Sequence, residues 1–167
     1  MRLYLIGDSM AEISKKALRS WRRLSRAQSF VADRIESALK GAGLPANIWL
    51  AALDELEKAG EPGLRPFELQ RALELEQPAI SRLLDKMIGS GLAERRECAD
   101  DRRGWTVTAT DTGRETQQRM ATVQIAALTK HYLAHLSDKQ ARNLDEILGD
   151  FLSSCRASAG EPSKNDH

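Results

Sequence analysis

Polar side chains able to hydrogen-bond to a nucleic acid cluster between residues 77 and 86. Gln77, Ser81, Arg82 and Lys86 carry amide, hydroxyl, guanidinium and ammonium groups. In a major groove, arginine can read guanine and glutamine can read adenine, while serine and a helix N-terminus suit a phosphate oxygen. At 3.6 residues per turn, these side chains point away from a buried face formed by the apolar positions of the same segment: Ile80, Leu83, Leu84, Met87 and Ile88.

A second pair of cations follows in a predicted β-hairpin. Trp105, Val107 and Ala109 alternate with threonines, which is typical of a strand, and residues 92–97 can form the other arm. Between the arms lies a polar loop, Cys98–Gly104, which contains Arg102 and Arg103. A basic loop beside a recognition helix can reach an adjacent narrow minor groove. The predicted DNA contacts are therefore Gln77, Pro78, Ala79, Ser81, Arg82, Lys86, Arg102 and Arg103.

Helices must position both the polar residues at 77–86 and the two arginines of the hairpin loop. Apolar spacing predicts helices over about 11–40, after Pro45 and ending before Gly60, over 66–73, from Pro78 to Ser90 and over 111–136. A capping box of Ser137 and Gln140 then predicts the start of a last helix. One stripe of that helix includes Leu148, Phe151 and Cys155, and we expect Cys155 to be a core residue. The order helix, short helix, turn, helix and hairpin is that of a winged helix-turn-helix, in a mainly α protein.

Composition excludes several functions. The two cysteines lie far apart without disulfide or zinc-finger spacing, and no secretory or membrane-spanning segment is evident, so we expect a cytoplasmic protein with no membrane partner. His131 and His135 are spaced i, i+4 but lack a third metal ligand, which favours ordinary surface or interface histidines and no metal site. No nucleophile, phosphate-loop or dinucleotide motif is present. We expect neither an enzyme nor a cofactor.

The strongest pattern is a resemblance to the MarR family of winged helix-turn-helix transcriptional regulators. It is carried by the run from Ile80 to Met87, by Gly91-Leu92 and by Glu94-Arg95-Arg96. Asp101-Arg102-Arg103-Gly104, Val107 and Thr110-Asp111-Thr112-Gly113 are similar to the family's wing signature. The resemblance implies a regulator, most simply a ligand-responsive repressor, that binds a pseudo-palindromic operator in double-stranded DNA.

The resemblance also implies a homodimer and a pocket for a small aromatic or phenolic anion. Trp21, Arg22 and Trp49 have suitable chemistry for that pocket, although tryptophans of a core explain the same residues. The expected organisation is one domain over 1–158, with the DNA-binding lobe at 44–112, dimerisation helices at 11–43 and 113–158, and a disordered tail at 159–167. Long apolar stripes on the terminal helices independently favour a dimer.

Alternatives remain open. Residues 65–114 contain nine Lys or Arg and nine Asp or Glu, so the lobe is formally neutral and its polar helix face could be merely solvated. A winged-helix module that contacts proteins without binding DNA is the alternative function. A basic run between residues 15 and 26 could pair with acids of a partner subunit or hold an anion, and Cys98 could respond to oxidation.

Overall fold

A computed structural model describes residues 15–98 and 101–159, with the side chains of residues 98, 101–103 and 159 outside the description. The elements are α1 (Lys15–Gly41), α2 (Asn47–Ala59), α3 (Pro66–Ala72), α4 (Gln77–Gly89), β1 (Ala93–Cys98), β2 (Asp101–Ala109), α5 (Asp111–His131) and α6 (Asp138–Ala159). A single 3₁₀ turn, Leu133–His135, joins α5 to α6. The mainly helical fold with one hairpin confirms the predicted fold class. Within the described segments, no helix is both long and apolar enough to cross a membrane.

The first core lies inside the lobe formed by α2, α3, α4 and the hairpin. Leu53, Leu69, Leu84 and Met87 are almost completely buried in it. The apolar face predicted for residues 80–88 is confirmed, since Ile80, Leu83, Leu84 and Met87 are buried and Ile88 is half-buried against them. Burial of this face holds the opposite, polar face of α4 towards solvent.

The hairpin is antiparallel and is extended by one bridge. Val107 of β2 exchanges two backbone hydrogen bonds with Leu64, at N···O distances of 3.0 and 2.8 Å. Gly63 has a φ of +92°, and a Cβ there would meet the carbonyl oxygen of Val107, so the close approach requires glycine. The Thr106 hydroxyl donates to the carbonyl oxygen of Pro62 at 2.7 Å. The segment from Pro62 to Leu64 thus holds β2 in place.

A second core joins the lobe to the long helices. It contains Ile35 and Leu39 of α1, Leu50 of α2, and Met120 and Ala127 of α5. Trp49 packs against both cores. The two cores therefore share one side chain, which ties the lobe to the helical part.

The outer parts of the terminal helices are not covered in the single chain. On α1, Leu18, Trp21 and Phe30 are exposed, while Ile35 and Leu39 are buried. No described side chain of α6 is buried, and Phe151 is 57% exposed. Cys155 is exposed as well, so its predicted place in the core of the chain is wrong. The reason is that no other described element of the chain packs over the stripe to which it belongs.

Two predicted boundaries are also wrong. The fifth helix ends at His131 rather than at residue 136, because Tyr132 leaves the helical region at φ −129° and ψ −65°. His131 and His135 therefore do not share one continuous helix.

The loop predicted over Cys98–Gly104 is shorter, because Asp101 pairs with Cys98. Backbone ladder bonds do not depend on side-chain polarity, so charged residues can extend a strand. The predicted tail is outside the described residues beyond residue 159.

Candidate nucleic-acid interface

The exposed face of α4 carries all the polar residues predicted for it. Gln77, Ser81, Arg82 and Lys86 are exposed, as are Pro78 and Ala79 in the first turn. Neither Arg82 nor Lys86 makes a side-chain hydrogen bond or ion pair with the described part of the chain. Two unpaired cations on a helix whose other face is anchored in a core are available to an external anion.

The start of α4 has no side-chain cap. Its N-cap residue, Glu76, makes no side-chain capping bond, and Pro78 in the first turn has no N–H to satisfy. The uncapped end carries the positive pole of the helix. The short connection from α3 includes Glu74 at a φ of +52°, a conformation that turns the chain tightly between the two helices. This turn is what presents the beginning of α4 to solvent.

The hairpin of β1 and β2 is called the wing. Arg102 and Arg103 lie on its second strand, and their side chains are outside the described residues. Glu97 pairs with Trp105 and Cys98 with Asp101, so Arg102, Arg103 and Gly104 have no partner residues on β1. The backbone therefore bulges on β2 at the two arginines. Such irregularities change where a strand directs its side chains.

Two further arginines connect the wing to its surroundings. On one face of β1, the Arg95 guanidinium lies 4.2 Å from the ring centre of Trp105 and 3.4 Å from a carboxylate oxygen of Asp85 on α4. On the other face, Arg96 donates to Glu61 at 2.6 Å and to Glu94 at 2.9 Å. These acids raise the pKa of Arg96 above its ordinary value, through the hydrogen bond to Glu94 first. The sequence pattern did not indicate these separate partners.

One threonine joins the turn after α4, the hairpin and α5. The Thr110 hydroxyl donates to the carbonyl oxygen of Gly91 at 2.6 Å and accepts from the Gly113 N–H at 3.0 Å. The Thr110 N–H donates to the Leu92 carbonyl oxygen at 3.1 Å. The turn that follows α4, the end of β2 and the start of α5 are therefore fixed to one another by the hydrogen bonds of a single residue.

A cavity lies where these elements meet α2. Its volume is about 380 Å³, and Trp49, Thr116 and Arg119 are among its lining residues, together with Ser90 and Leu92. Arg119 makes no hydrogen bond or ion pair with the described residues. An indole, an apolar wall and an unpaired guanidinium suit a small anion with an apolar body. The sequence did not predict Arg119 beside this cavity, because nothing in its local pattern separates it from other surface cations of α5.

The structure does not bring Trp21 and Arg22 to this cavity. Both are exposed on the N-terminal half of α1, and Trp21 is 65% exposed. Of the three residues predicted for a ligand pocket, Trp49 alone lines the cavity in the single chain. The separation arises because α1 packs on α5 through its C-terminal half, near Ile35 and Leu39.

His131 lies in a cationic environment. Its ring meets the Phe30 ring edge-on with centroids 6.5 Å apart, and Arg34 stacks on Phe30 at 4.9 Å. Partial desolvation lowers the pKa of His131 below its ordinary value, and Lys130, Arg34 and His135 add to the lowering. Among the described residues, no group of three or more His, Cys, Asp and Glu could hold a metal ion.

The sequence and the fold were both compared with those of known proteins. Residues 42–104 match the sequence profile of the MarR family. No curated protein matches the sequence significantly. Sco3205, a MarR family transcriptional regulator from Streptomyces coelicolor solved in complex with DNA, is 24% identical with a TM-score of 0.77, over 96% of this chain and 97% of its own.

Two other solved structures share the fold. A mutant of Escherichia coli MarR complexed with operator DNA is 19% identical with a TM-score of 0.72, over 85% of this chain and 99% of its own. A MarR family protein of Mycobacterium tuberculosis in complex with p-aminosalicylic acid is 25% identical with a TM-score of 0.61, over 78% of this chain and 96% of its own.

The profile match covers the lobe that contains the exposed face of α4 and the wing, and the structural matches extend over the long helices. Members of this family are transcriptional regulators and not enzymes, in agreement with the expectation from the sequence. Residues 42–104 therefore carry the sequence profile of the MarR family of transcriptional regulators, and the chain shares the fold of solved MarR family proteins.

Proposed function

We propose that the protein is a cytoplasmic, ligand-responsive repressor that binds a pseudo-palindromic operator as a homodimer. In this proposal α4 enters the major groove and the wing reaches the adjacent minor groove. The observation that carries it is the exposed α4 face, where Arg82 and Lys86 have no ionic partner in the described chain. Two of the structural relatives above were solved with DNA, which supports the same use of this lobe.

Local arrangement supports DNA binding despite the formal neutrality of the lobe. Arg96 and Arg95 are engaged with Glu61, Glu94 and Asp85, so these acids are compensated within the protein. Arg82 and Lys86 are not compensated in this way, which leaves the cations of α4 for phosphates and base edges. The alternative function, a module that contacts proteins only, predicts no salt-dependent affinity for duplex DNA.

The recognition helix and the wing should differ in what they contribute. Arg82→Ala should cost roughly 1–3 kcal/mol on the operator and relax preference at one base position. Arg103→Ala should weaken all sequences similarly and reduce the salt slope by about one for each phosphate that is no longer neutralised. Both effects are measured by titrating each variant against an operator selected from random duplexes, and against its point mutants, across a salt series.

Two outcomes would contradict this assignment. If both variants lose affinity uniformly with unchanged specificity, Arg82 does not read bases. If the wild-type protein selects no duplex, the alternative function is favoured. The selected operator should also contain half-sites about 10 base pairs apart, centre to centre, because a two-fold dimer places its recognition helices one DNA turn apart.

The effector part of the proposal is supported by the cavity that Trp49 and Arg119 line. A small aromatic or phenolic acid would place its ring against Trp49 and its carboxylate at Arg119. The cavity also borders Ser90 and Leu92, which flank the turn between α4 and β1. An occupant that favours one arrangement of this turn would change DNA affinity, and DNA would change ligand affinity by the same factor.

The cation that holds the ligand can be identified by paired substitutions. With p-aminosalicylic acid as the probe, Arg119→Gln should raise the Kd about tenfold, the effect of losing one charge-assisted hydrogen bond. Arg22→Gln removes the same charge from α1 and is the matched control. Isothermal titration measures both. A larger loss from Arg22→Gln would move the ligand to α1, and no binding by the wild type would exclude this acid as an effector.

A further inference from the structure

We propose that Arg95 positions the DNA-binding surface by neutralising Asp85 on α4 and holding the wing against that helix. The inference rests on the proposed DNA binding and adds a residue to it. Arg95 is a positioning residue here, since it acts through Asp85 and Trp105 and not by touching DNA itself.

The location of Asp85 creates the need for such a residue. Asp85 is exposed on α4, one helical turn after Arg82 and next in sequence to Lys86, the two cations assigned to DNA. A carboxylate beside a phosphate backbone repels it, and salt screens that repulsion incompletely at contact distance. An unpaired Asp85 would therefore weaken binding of any duplex by this face.

Arg95 meets Asp85 from the neighbouring element. Its guanidinium nitrogen lies 3.4 Å from the Asp85 carboxylate, and its central carbon lies 4.2 Å from the centre of the Trp105 ring. Trp105 is half-buried and packs against the core of the lobe, so the stacking surface is itself fixed. A rigid indole on β2 thus holds an arginine of β1 in reach of a carboxylate on α4.

The interaction contributes little to folding, which makes its role in binding measurable. The side chains of Arg95 and Asp85 are 55% and 69% exposed. Exposed ion pairs add little to stability, because solvent screens the charges and ordering two long side chains costs entropy. Substitution of either residue should therefore leave a folded protein whose DNA affinity reports the arrangement of the surface.

A double-mutant cycle on the full chain tests the proposal. Arg95→Gln should lower affinity for the selected operator about tenfold at low salt, because it leaves Asp85 uncompensated. Asp85→Asn alone should stay within about threefold of wild type, and Asp85→Asn combined with Arg95→Gln should recover most of the loss. Arg95→Lys, which keeps the charge and loses the planar fork, should fall between wild type and Arg95→Gln.

Arg96→Gln is the matched control. It makes the same charge change one residue further along β1, but Arg96 contacts Glu61 and Glu94 on the other face of the strand. We expect a smaller loss for it than for Arg95→Gln. An equal loss for the two variants would reduce the effect to net charge and overturn the proposal. A double variant that binds as poorly as Arg95→Gln would overturn it as well, since Arg95 would then contact DNA directly.

A readout without DNA separates this proposal from the proposed function. In protein labelled with 5-fluorotryptophan, the Trp105 fluorine resonance, assigned by its absence in Trp105→Phe, should move in Arg95→Gln and stay in place in Arg96→Gln. An unmoved resonance in Arg95→Gln refutes the stacked arrangement whatever the DNA result. Failure of the wild type to bind any duplex, with a moved resonance, refutes the proposed function and the role in binding while the contact itself stands.

Discussion

Gly113→Ala should destabilise the protein by about 3 kcal/mol, the upper range for overpacking a closely packed site. Gly113 lies in the first turn of α5, where an added Cβ would run into the carbonyl oxygen of Leu92 and stand 3.4 Å from the Leu53 side chain. That carbonyl belongs to backbone that Thr110 holds by hydrogen bonds, so it cannot move away without breaking them. The free energy of urea unfolding, compared at one protein concentration, measures the effect.

Gly89→Ala is the control for this prediction. Gly89 is also helical, but no atom lies within 4 Å of the position that its Cβ would occupy. Alanine is the better helix former, so this variant should change stability by less than about 1 kcal/mol and in the stabilising direction. Equal and small effects at the two positions would show that α5 does not approach Leu92 as closely as the structure places it.

Phe151→Glu should break the proposed homodimer. Phe151 lies in the apolar stripe of α6, is 57% exposed in the single chain and has no cover among the described residues. If a partner subunit covers it, glutamate would bury an unpaired charge twice in each dimer, at a cost of several kcal/mol. We expect the dissociation constant to rise on the order of a hundredfold or more. Sedimentation equilibrium over a concentration series measures this change.

Ser153→Glu introduces the same side chain on the opposite side of α6. Ser153 is exposed and lies outside the apolar stripe, so this variant should dimerise like the wild type. Dissociation by both variants would point to a general effect of charge on α6. A wild-type protein that sediments as a monomer at micromolar concentration would contradict the homodimer itself, and with it the half-site spacing expected in the operator.

The sequence predicted the parts of this fold that depend on neighbours along the chain. The spacing of Ile80, Leu83, Leu84 and Met87 was sufficient to separate the buried from the exposed face of α4, because a helix repeats every 3.6 residues whatever surrounds it. The alternation around Val107 predicted β2 for the corresponding reason. The capping box at Ser137 is also local, and the structure contains it, with the Ser137 N–H donating to Gln140 at 2.9 Å.

Local sequence patterns could not predict contacts between residues that are distant in sequence. Arg95 and Arg96 are adjacent and chemically identical, yet the alternation of a strand sends one to Asp85 and the other to Glu61. Arg119 likewise lines the cavity beside Trp49 only because α5 packs there. Trp21 instead lies exposed on the N-terminal half of α1. Periodicity specifies a face but not what packs against it, because that depends on how separately formed elements are oriented. The pairing of Arg95 with Asp85, the cation beside Trp49 and the exposure of Cys155 were therefore set by the assembly of the elements.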